Sequence, residues 1–205
     1  MQCKLCNVYE HFEIVHESSN FYLVFDNYGL HFGHLLLVSK EHILNFSQSK
    51  NEFIVLISDI ITILNDFFET DIILYEHGNV TENRTQNASV DHAHFHLLPL
   101  NVGFDNIIQL MSSNLNVYET TLEVFYSNTQ IKPYHFLSIN GKNSVCTYDL
   151  WKSQGFREMY AYFEKYEKWD WKIDGEEIKA LHSAMYVNKQ RLKKYLSRRL
   201  NNVGE

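Results

Sequence analysis

The chain has 205 residues, 45% of them hydrophobic, and a formal net charge of −7. This length and apolar fraction suffice for one domain with an elaboration or for two small domains. The negative charge argues against a surface that binds nucleic acid over the whole chain, and no apolar run of about eighteen residues predicts a transmembrane helix. Six basic residues and no acid lie between residues 189 and 199, a pattern more typical of a solvated helix face than of a binding site.

Two of the three cysteines, Cys3 and Cys6, lie in the first six residues. Because this terminus lacks an apolar signal core, we expect a cytoplasmic, reducing location, where cysteines serve as thiols or metal ligands rather than disulfides. A Cys-x-x-Cys pair is either a zinc half-site or a redox motif. No strand precedes this pair, so the zinc half-site is favoured, and it needs two further ligands.

The next elements are predicted from apolar spacing and turn residues. Two strands at 21–25 and 33–38 are predicted to form an antiparallel pair. A helix from about 50 to 69 follows the capping box Ser49-x-x-Glu52 and is expected to cover the sheet. A strand at 71–75 is ended by Glu76-His77-Gly78, and a polar loop follows at 79–89.

A histidine-rich segment follows at 90–99, where His92, His94 and His96 alternate with apolar residues. Alternation with a period of two predicts a strand, and it places the three imidazoles on one face. Such a row is costly to bury unless it is used, because neutral imidazoles need partners and adjacent imidazolium ions repel. We therefore favour a functional role for these histidines over a purely structural one.

Beyond residue 100 the pattern is less distinct. It predicts helices at 104–115, 154–166 and 176–200 and strands at 119–126, 134–140 and 145–150. Trp169 and Trp171 are interpreted as packing anchors for the C-terminal helices. The apolar spacing after residue 176 predicts that the last helix packs on the N-terminal part or across a dimer.

Three chemistries use such a histidine row. A cupin-type iron site requires an acid shortly after His-x-His, but none follows His96 before Asp105. A metallohydrolase of the His-x-His-x-Asp-His type requires Asp after the second histidine, where Phe95 and His96 stand. Nucleophilic catalysis by an imidazole on phosphorus, with neighbouring imidazoles holding the phosphate oxygens, fits without a missing residue.

The spacing of these residues resembles the histidine triad family. The resemblance rests on His92-x-His94-x-His96 followed by two leucines, on the earlier Gly33-His34-x-Leu36-x-Val38-x-Lys40-x-His42, and on the N-terminal Cys-x-x-Cys, which is similar to the zinc-bearing branch. It implies an α+β fold in which an antiparallel sheet carries one long covering helix, often in a homodimer. We expect a nucleotide-binding catalytic domain over 1–115 and a C-terminal extension of strands and helices over 116–205, packed on it.

The resemblance also implies an activity and the residues that perform it. His94 would attack the α-phosphate of a nucleotide conjugate and form a nucleotidyl-histidine intermediate, which water or another acceptor resolves. His96 would contact the phosphate or the leaving group, Ser89 would bind phosphate, and Asp26 would bind the ribose hydroxyls. Candidate substrates are dinucleoside polyphosphates, nucleoside phosphoramidates and nucleotide sugars. A backbone carbonyl near His92 would hold the second nitrogen of His94.

In the zinc-bearing branch the ligands of a structural Zn²⁺ would be Cys3, Cys6, His42 and His92. These give two thiolates and two imidazoles, a suitable tetrahedral set. The ion would tie the N-terminus to the segment that carries His94.

Two residues depart from the family pattern. Ala88 stands where the family usually has Gln, and Glu76 stands where Asn or Gln is common near the phosphate, so that its carboxylate would repel a polyphosphate unless protonated or paired. Two other functions therefore stay open beside the enzyme: a nucleotide-binding or sensing module with little turnover, and a zinc-stabilised interaction protein.

Overall fold

A computed structural model describes residues 3–46, 50–78, 92–100, 102–112, 116–121, 124–125, 134–147, 156–167, 170 and 173–200. The N-terminal elements are a 3-10 helix (Lys4–Asn7), α1 (Val8–His11), β1 (Ile14–Glu17), β2 (Phe21–Phe25), β3 (Leu35–Ser39), α2 (Lys50–Phe68), β4 (Ile72–Gly78) and β5 (His94–Pro99). They are followed by α3 (Phe104–Ser112), β6 (Asn116–Thr120), β7 (Tyr134–Ile139), β8 (Lys142–Thr147), α4 (Phe156–Glu164), α5 (Gly175–Ala184) and α6 (Tyr186–Leu200).

The strands form one antiparallel sheet in the order β1-β2-β3-β5-β4-β7-β8-β6. The predicted α+β class, with an antiparallel sheet and a long covering helix, is confirmed. β7 pairs with β4, so the sheet runs from the N-terminal part of the chain into the C-terminal part. The division at residue 115 and the homodimer stay predictions.

The larger core cluster lies between one face of the sheet and α2. Phe53, Ile57, Ile60 and Leu64 of the helix pack there on sheet residues such as Phe95. The apolar spacing of α2 places these side chains on one side of the helix, as the sequence predicts. Leu192, Leu196 and Leu200 of α6 belong to the same cluster, which brings the end of the basic run onto the first half of the sheet.

The opposite face of the sheet is covered at two places. The N-terminal segment packs Leu5 and Val8 on β2 and β3, while α3, α4 and α5 pack on β4 and β7. Between these two clusters lie the polar side chains described below, which come from β4, from β5 and from the residues between β2 and β3. Among the described residues no helix is both long and apolar enough to cross a membrane.

Two predicted elements of the C-terminal part differ from the structure. The strand predicted at 119–126 is wrong, because β6 ends at Thr120 and residues 124–125 are helical. The helix predicted at 176–200 is divided at Met185 into α5 and α6. Because of this division, Ile178 of α5 packs in the cluster that contains α4. The leucines of α6 pack in the cluster that contains α2, on the other face of the sheet. Trp169 and Trp171 lie outside the described residues.

Candidate functional site

Strand register places His94 and His96 on the sheet face that points away from α2. His96 is paired with Tyr75 on β4 and Leu36 on β3, and His94 is paired with Val38. Paired residues of neighbouring strands share a face, and these partners belong to the clusters on that side. Phe95, between the two histidines, faces α2, where it stacks on Phe46 and Phe53.

The predicted row of three histidines is divided in the structure. β5 begins at His94, and His92 lies before it with its ring among the N-terminal cysteines. The third imidazole beside His94 and His96 is His77 of β4, whose ring centroid is 5.4 Å from that of His94 and 6.2 Å from that of His96. One ring nitrogen from each of the three lies within 4.8 Å of the others.

His94 is held in one orientation by the backbone. Its Nδ1 lies 2.8 Å from the carbonyl oxygen of His92, so Nδ1–H donates to that carbonyl and the lone pair is on Nε2. The ring is buried, with 5% of the residue exposed. Burial lowers the pKa of His94, although the His92 carbonyl and Asp26 oppose the shift. A neutral imidazole with a free Nε2 is the form that a nucleophile requires.

His96 makes its contact with another histidine. Its Nδ1 lies 2.9 Å from Nε2 of His34, and that nitrogen lies 3.4 Å from Oδ2 of Asp26. Burial lowers the pKa of His96 well below its usual value and that of His34 to about 3. Both rings are therefore neutral near pH 7, and a neutral imidazole has one donor and one acceptor nitrogen.

Asp26 is an ionised carboxylate inside the protein. Its Oδ2 accepts a hydrogen bond of 2.8 Å from Nη2 of Arg157 on α4, and its Oδ1 accepts one of 2.8 Å from the Tyr28 amide. Burial alone would raise the pKa of Asp26, but Arg157, His34 and the Tyr28 amide lower it to about 2. The predicted contact of Asp26 with a ribose stays a prediction.

The expectation that Glu76 lies beside the phosphate is wrong in the structure. Glu76 precedes His77 on β4, so the two side chains point to opposite faces, and Glu76 is paired with Phe136 on the α2 side. Its Oε2 accepts a hydrogen bond of 2.7 Å from the Tyr134 hydroxyl. β4 thus continues three residues beyond its predicted end, and it places the imidazole of His77, not the carboxylate of Glu76, in the site.

A second cluster joins the N-terminus to the segment before β5. Ligand atoms of Cys3, Cys6, His42 and His92 lie within 4.8 Å of one another. Nδ1 of His92 is 3.6 Å from Sγ of Cys3 and 3.5 Å from Sγ of Cys6, and Nδ1 of His42 is 3.1 Å from Sγ of Cys6. Donors at about 2.0–2.3 Å from a tetrahedral ion would be separated by about 3.5 Å, so these residues fit a metal ion.

The second nitrogen of His92 supports the same conclusion. Its Nε2 lies 2.8 Å from the Ser39 carbonyl oxygen and donates to it, which leaves Nδ1 as an acceptor towards the two thiols. A metal-ligating histidine normally has its other nitrogen held in this way, by a carbonyl or carboxylate. The four residues predicted as ligands therefore meet in the fold, and they form a Cys/His cluster that can bind a metal.

Sequence reasoning missed three residues of this site. His34 is part of the Gly-His motif but was given no role, and a signal for His77 is the alternation Tyr75-x-His77, which continues the strand. Arg157 has no local signal, since its partner Asp26 is 131 residues away. Ser89, predicted to bind phosphate, lies outside the described residues, as does Ala88.

No protein-family model matches the chain, and no curated protein matches its sequence. Solved structures do match. A hypothetical histidine triad nucleotide-binding protein from Sulfolobus tokodaii is 20% identical, with a TM-score of 0.41 over 49% of this chain and 70% of that one. A HIT family hydrolase from Clostridium thermocellum is 20% identical, with a TM-score of 0.37 over 50% of this chain and 94% of that one.

A third match covers more of this chain. Yeast Ap4A phosphorylase in complex with AMP is 13% identical, with a TM-score of 0.42 over 69% of this chain and 61% of that one. All three matches describe similarity of fold alone.

Proposed function

We propose that this protein is a nucleotidyl hydrolase or nucleotidyltransferase in which His94 is the nucleophile. The observation that carries the proposal is the 2.8 Å contact between Nδ1 of His94 and the His92 carbonyl, which leaves Nε2 as the free, unprotonated nitrogen. The substrate is a nucleotide conjugate attacked at its α-phosphate, in the class of dinucleoside polyphosphates, nucleoside phosphoramidates and nucleotide sugars.

The reaction proceeds in two steps. In the first, the Nε2 lone pair of His94 forms a bond to the α-phosphorus, and the bond from phosphorus to the leaving group breaks. The leaving group departs with that electron pair, stabilised by a hydrogen bond from the N–H of His96, and takes any proton it needs from water. In the second, water or another acceptor attacks phosphorus, the P–N bond breaks with its electron pair returning to Nε2 of His94, and the acceptor's proton passes to bulk water. The nucleotidyl group leaves as a monophosphate or bonded to the acceptor, and His94 is restored.

Charge that develops on the equatorial phosphate oxygens needs preorganised donors. His77 is beside both other rings, so its imidazole is one donor towards those oxygens. The Ser89 hydroxyl remains a second candidate from the sequence motif.

Mass spectrometry of the full chain, mixed with a panel of the three substrate classes, tests the proposal. We expect a nucleotidyl adduct on a peptide containing His94 and turnover of at least one class. His94→Ala should abolish both and leave the fold intact by circular dichroism, while His11→Ala, at an exposed histidine that belongs to neither cluster, should change neither. Near-wild-type turnover by His94→Ala on a substrate that the wild type cleaves would exclude this mechanism.

One observation favours a second candidate function. Because the nitrogens of His77, His94 and His96 lie within 4.8 Å of one another, they fit a three-histidine catalytic metal site that would activate water. The two candidates differ in their response to metal. Added divalent ions should not be needed for the covalent mechanism, and a chelator should leave the initial rate of folded protein nearly unchanged. Activity that follows an added ion, without an adduct on His94, assigns the metallohydrolase.

The Cys/His cluster is assigned to a structural Zn²⁺ held by Cys3, Cys6, His42 and His92. Two thiolates and two imidazoles are the donors that this ion favours, and all four positions are filled by protein, as in structural rather than catalytic sites. His92 fixes the backbone carbonyl that orients His94, so the cluster stabilises the segment next to the nucleophile.

A further inference from the structure

We propose that Arg157, Asp26 and His34 form a positioning relay that fixes the ring protons of His96, so that the C-terminal part of the chain completes the site. The proposal rests on the function assigned above, since it concerns how His96 serves the leaving group. The proposal predicts one tautomer for His96, and that tautomer can be measured without any substrate.

The relay is a continuous path of buried polar contacts. Nη2 of Arg157 donates to Oδ2 of Asp26 at 2.8 Å, the same oxygen lies 3.4 Å from Nε2 of His34, and that nitrogen lies 2.9 Å from Nδ1 of His96. None of the four residues is more than 8% exposed. Nη1 of Arg157 also donates to the Tyr28 carbonyl at 2.6 Å, which orients the guanidinium.

The carboxylate selects the tautomer of His34. A lone pair on Nε2 would face the negative Oδ2 of Asp26 and be repelled, whereas an N–H there is attracted. His34 therefore has its proton on Nε2, the same nitrogen that lies against Nδ1 of His96. Because two lone pairs cannot share a 2.9 Å contact, the proton of His34 is donated and Nδ1 of His96 accepts it.

The state of His96 follows from that contact. Since the ring is neutral and its Nδ1 accepts, its proton is on Nε2, the nitrogen that His34 does not hold. His96 thus has its N–H at Nε2, so this nitrogen is a donor and not an acceptor towards a phosphate or leaving group. The opposite tautomer would turn a lone pair towards them and could not donate a hydrogen bond to an oxyanion.

Arg157 is needed because the carboxylate is buried. An isolated carboxylate in an apolar interior takes up a proton, and a neutral acid would lose its preference for one His34 tautomer. The guanidinium opposes this effect and contributes to the low pKa of Asp26. α4 thereby acts on His96 through two intervening side chains, so Arg157, Asp26 and His34 are positioning residues, not catalytic ones.

Nitrogen NMR of the wild-type protein labelled with ¹⁵N-histidine is the first test. Long-range proton–nitrogen correlations distinguish the two neutral tautomers and the imidazolium ion. We expect His34 and His96 both to be protonated on Nε2 and bare on Nδ1 near pH 7. A proton on Nδ1 of either ring, or a doubly protonated ring, overturns the relay even if no substrate has been found.

Kinetics of variants is the second test, on whichever substrate class the wild type cleaves. Asp26→Asn should lower kcat roughly ten- to hundredfold, less than the hundred- to thousandfold cost of deleting a transition-state donor, and should change KM little. Arg157→Gln should act in the same direction, and Arg157→Lys should restore part of the rate. The matched control is Arg199→Gln, which removes an exposed Arg–carboxylate pair to Asp66 of 2.9 Å and should leave kcat unchanged.

The separate effects of Asp26→Asn on kcat and on KM distinguish a positioning role of Asp26 from a contact with the ribose. Loss of a ribose contact by Asp26→Asn would raise KM and leave kcat nearly unchanged, which would overturn the positioning role. So would a normal kcat in a folded Arg157→Gln protein whose His96 signals match those of the wild type. If the Asn and Gln variants do not fold, the wild-type NMR measurement and Arg157→Lys still decide the proposal.

Discussion

Cys6→Ser should release zinc and loosen the N-terminal segment. In the proposed zinc site the segment is held by Cys3 and Cys6, and it is also held by two buried side chains, Leu5 and Val8, which are 3% and 1% exposed. They pack on Leu36 and Val38 of β3. Burial of such a side chain contributes about 1.5–3 kcal/mol, so complete detachment would lower the free energy of unfolding by about 3–6 kcal/mol. For a chain of this size that corresponds to a melting temperature roughly 6–24 °C lower.

Three measurements test the expectation together. Elemental analysis should give one zinc per wild-type chain and almost none for Cys6→Ser, calorimetry should give the lower melting temperature, and hydrogen exchange should rise over residues 3–11 and around His92. Cys146→Ser is the matched control, because it removes the third cysteine, which is not in the predicted ligand set, and should keep the zinc. Leu5→Ala separates packing from ligation, since it should cost about 2–5 kcal/mol with the zinc retained.

The double variant Cys3→Ser/Cys6→Ser gives the refuting result. Stoichiometric zinc retained by that protein would show that the ion binds elsewhere, for instance at the three histidines of the other site. A normal zinc content with unchanged melting temperature in Cys6→Ser alone would likewise contradict a ligand role for that thiolate.

Two further predictions concern β4. Gly78→Ala should lower the free energy of unfolding by about 1–3 kcal/mol in a denaturant titration, because the added methyl group would overlap the ring of Tyr134. Gly175→Ala, at the first residue of α5 with the nearest atom at 3.8 Å, should be nearly neutral. Glu76→Gln should leave kcat within a few fold of the wild-type value, because the side chain faces α2. His77→Gln should lower kcat roughly a hundred- to thousandfold. Equal effects of the two substitutions would contradict the faces assigned to these side chains of β4.

The sequence predicted most of the framework because its signals are local. Apolar spacing predicts α2 to within one residue at its C-terminal end, and a run rich in aromatic and β-branched residues predicts β2. A helix or strand buries one face, so its apolar residues recur with the period of that element within a few neighbouring residues. The break at Met185 could not be predicted, since both sides continue a helical pattern and only the positions of two separate clusters divide it.

The candidate site was predicted only in part, for a similar reason. The four Cys/His residues were identified as one set through the motif, and the structure brings them together. The sequence pattern ends the strand before Glu76 and His77, so it predicts no face of the sheet for either side chain. On a strand each step of one residue reverses the face, and a three-residue error in a strand end therefore exchanged the group that reaches the site.

By itself the sequence determined the α+β class, the strand that carries His94 and His96, and the donor types of the metal cluster. Each of these follows from residues close together in the chain or from a spaced motif. Tertiary structure alone decided that β7 pairs with β4, that His77 joins the two histidines, and that Arg157 of α4 reaches Asp26. These contacts join residues far apart in sequence, and they form because a buried carboxylate and an unpaired strand edge must find partners wherever the packed chain supplies them.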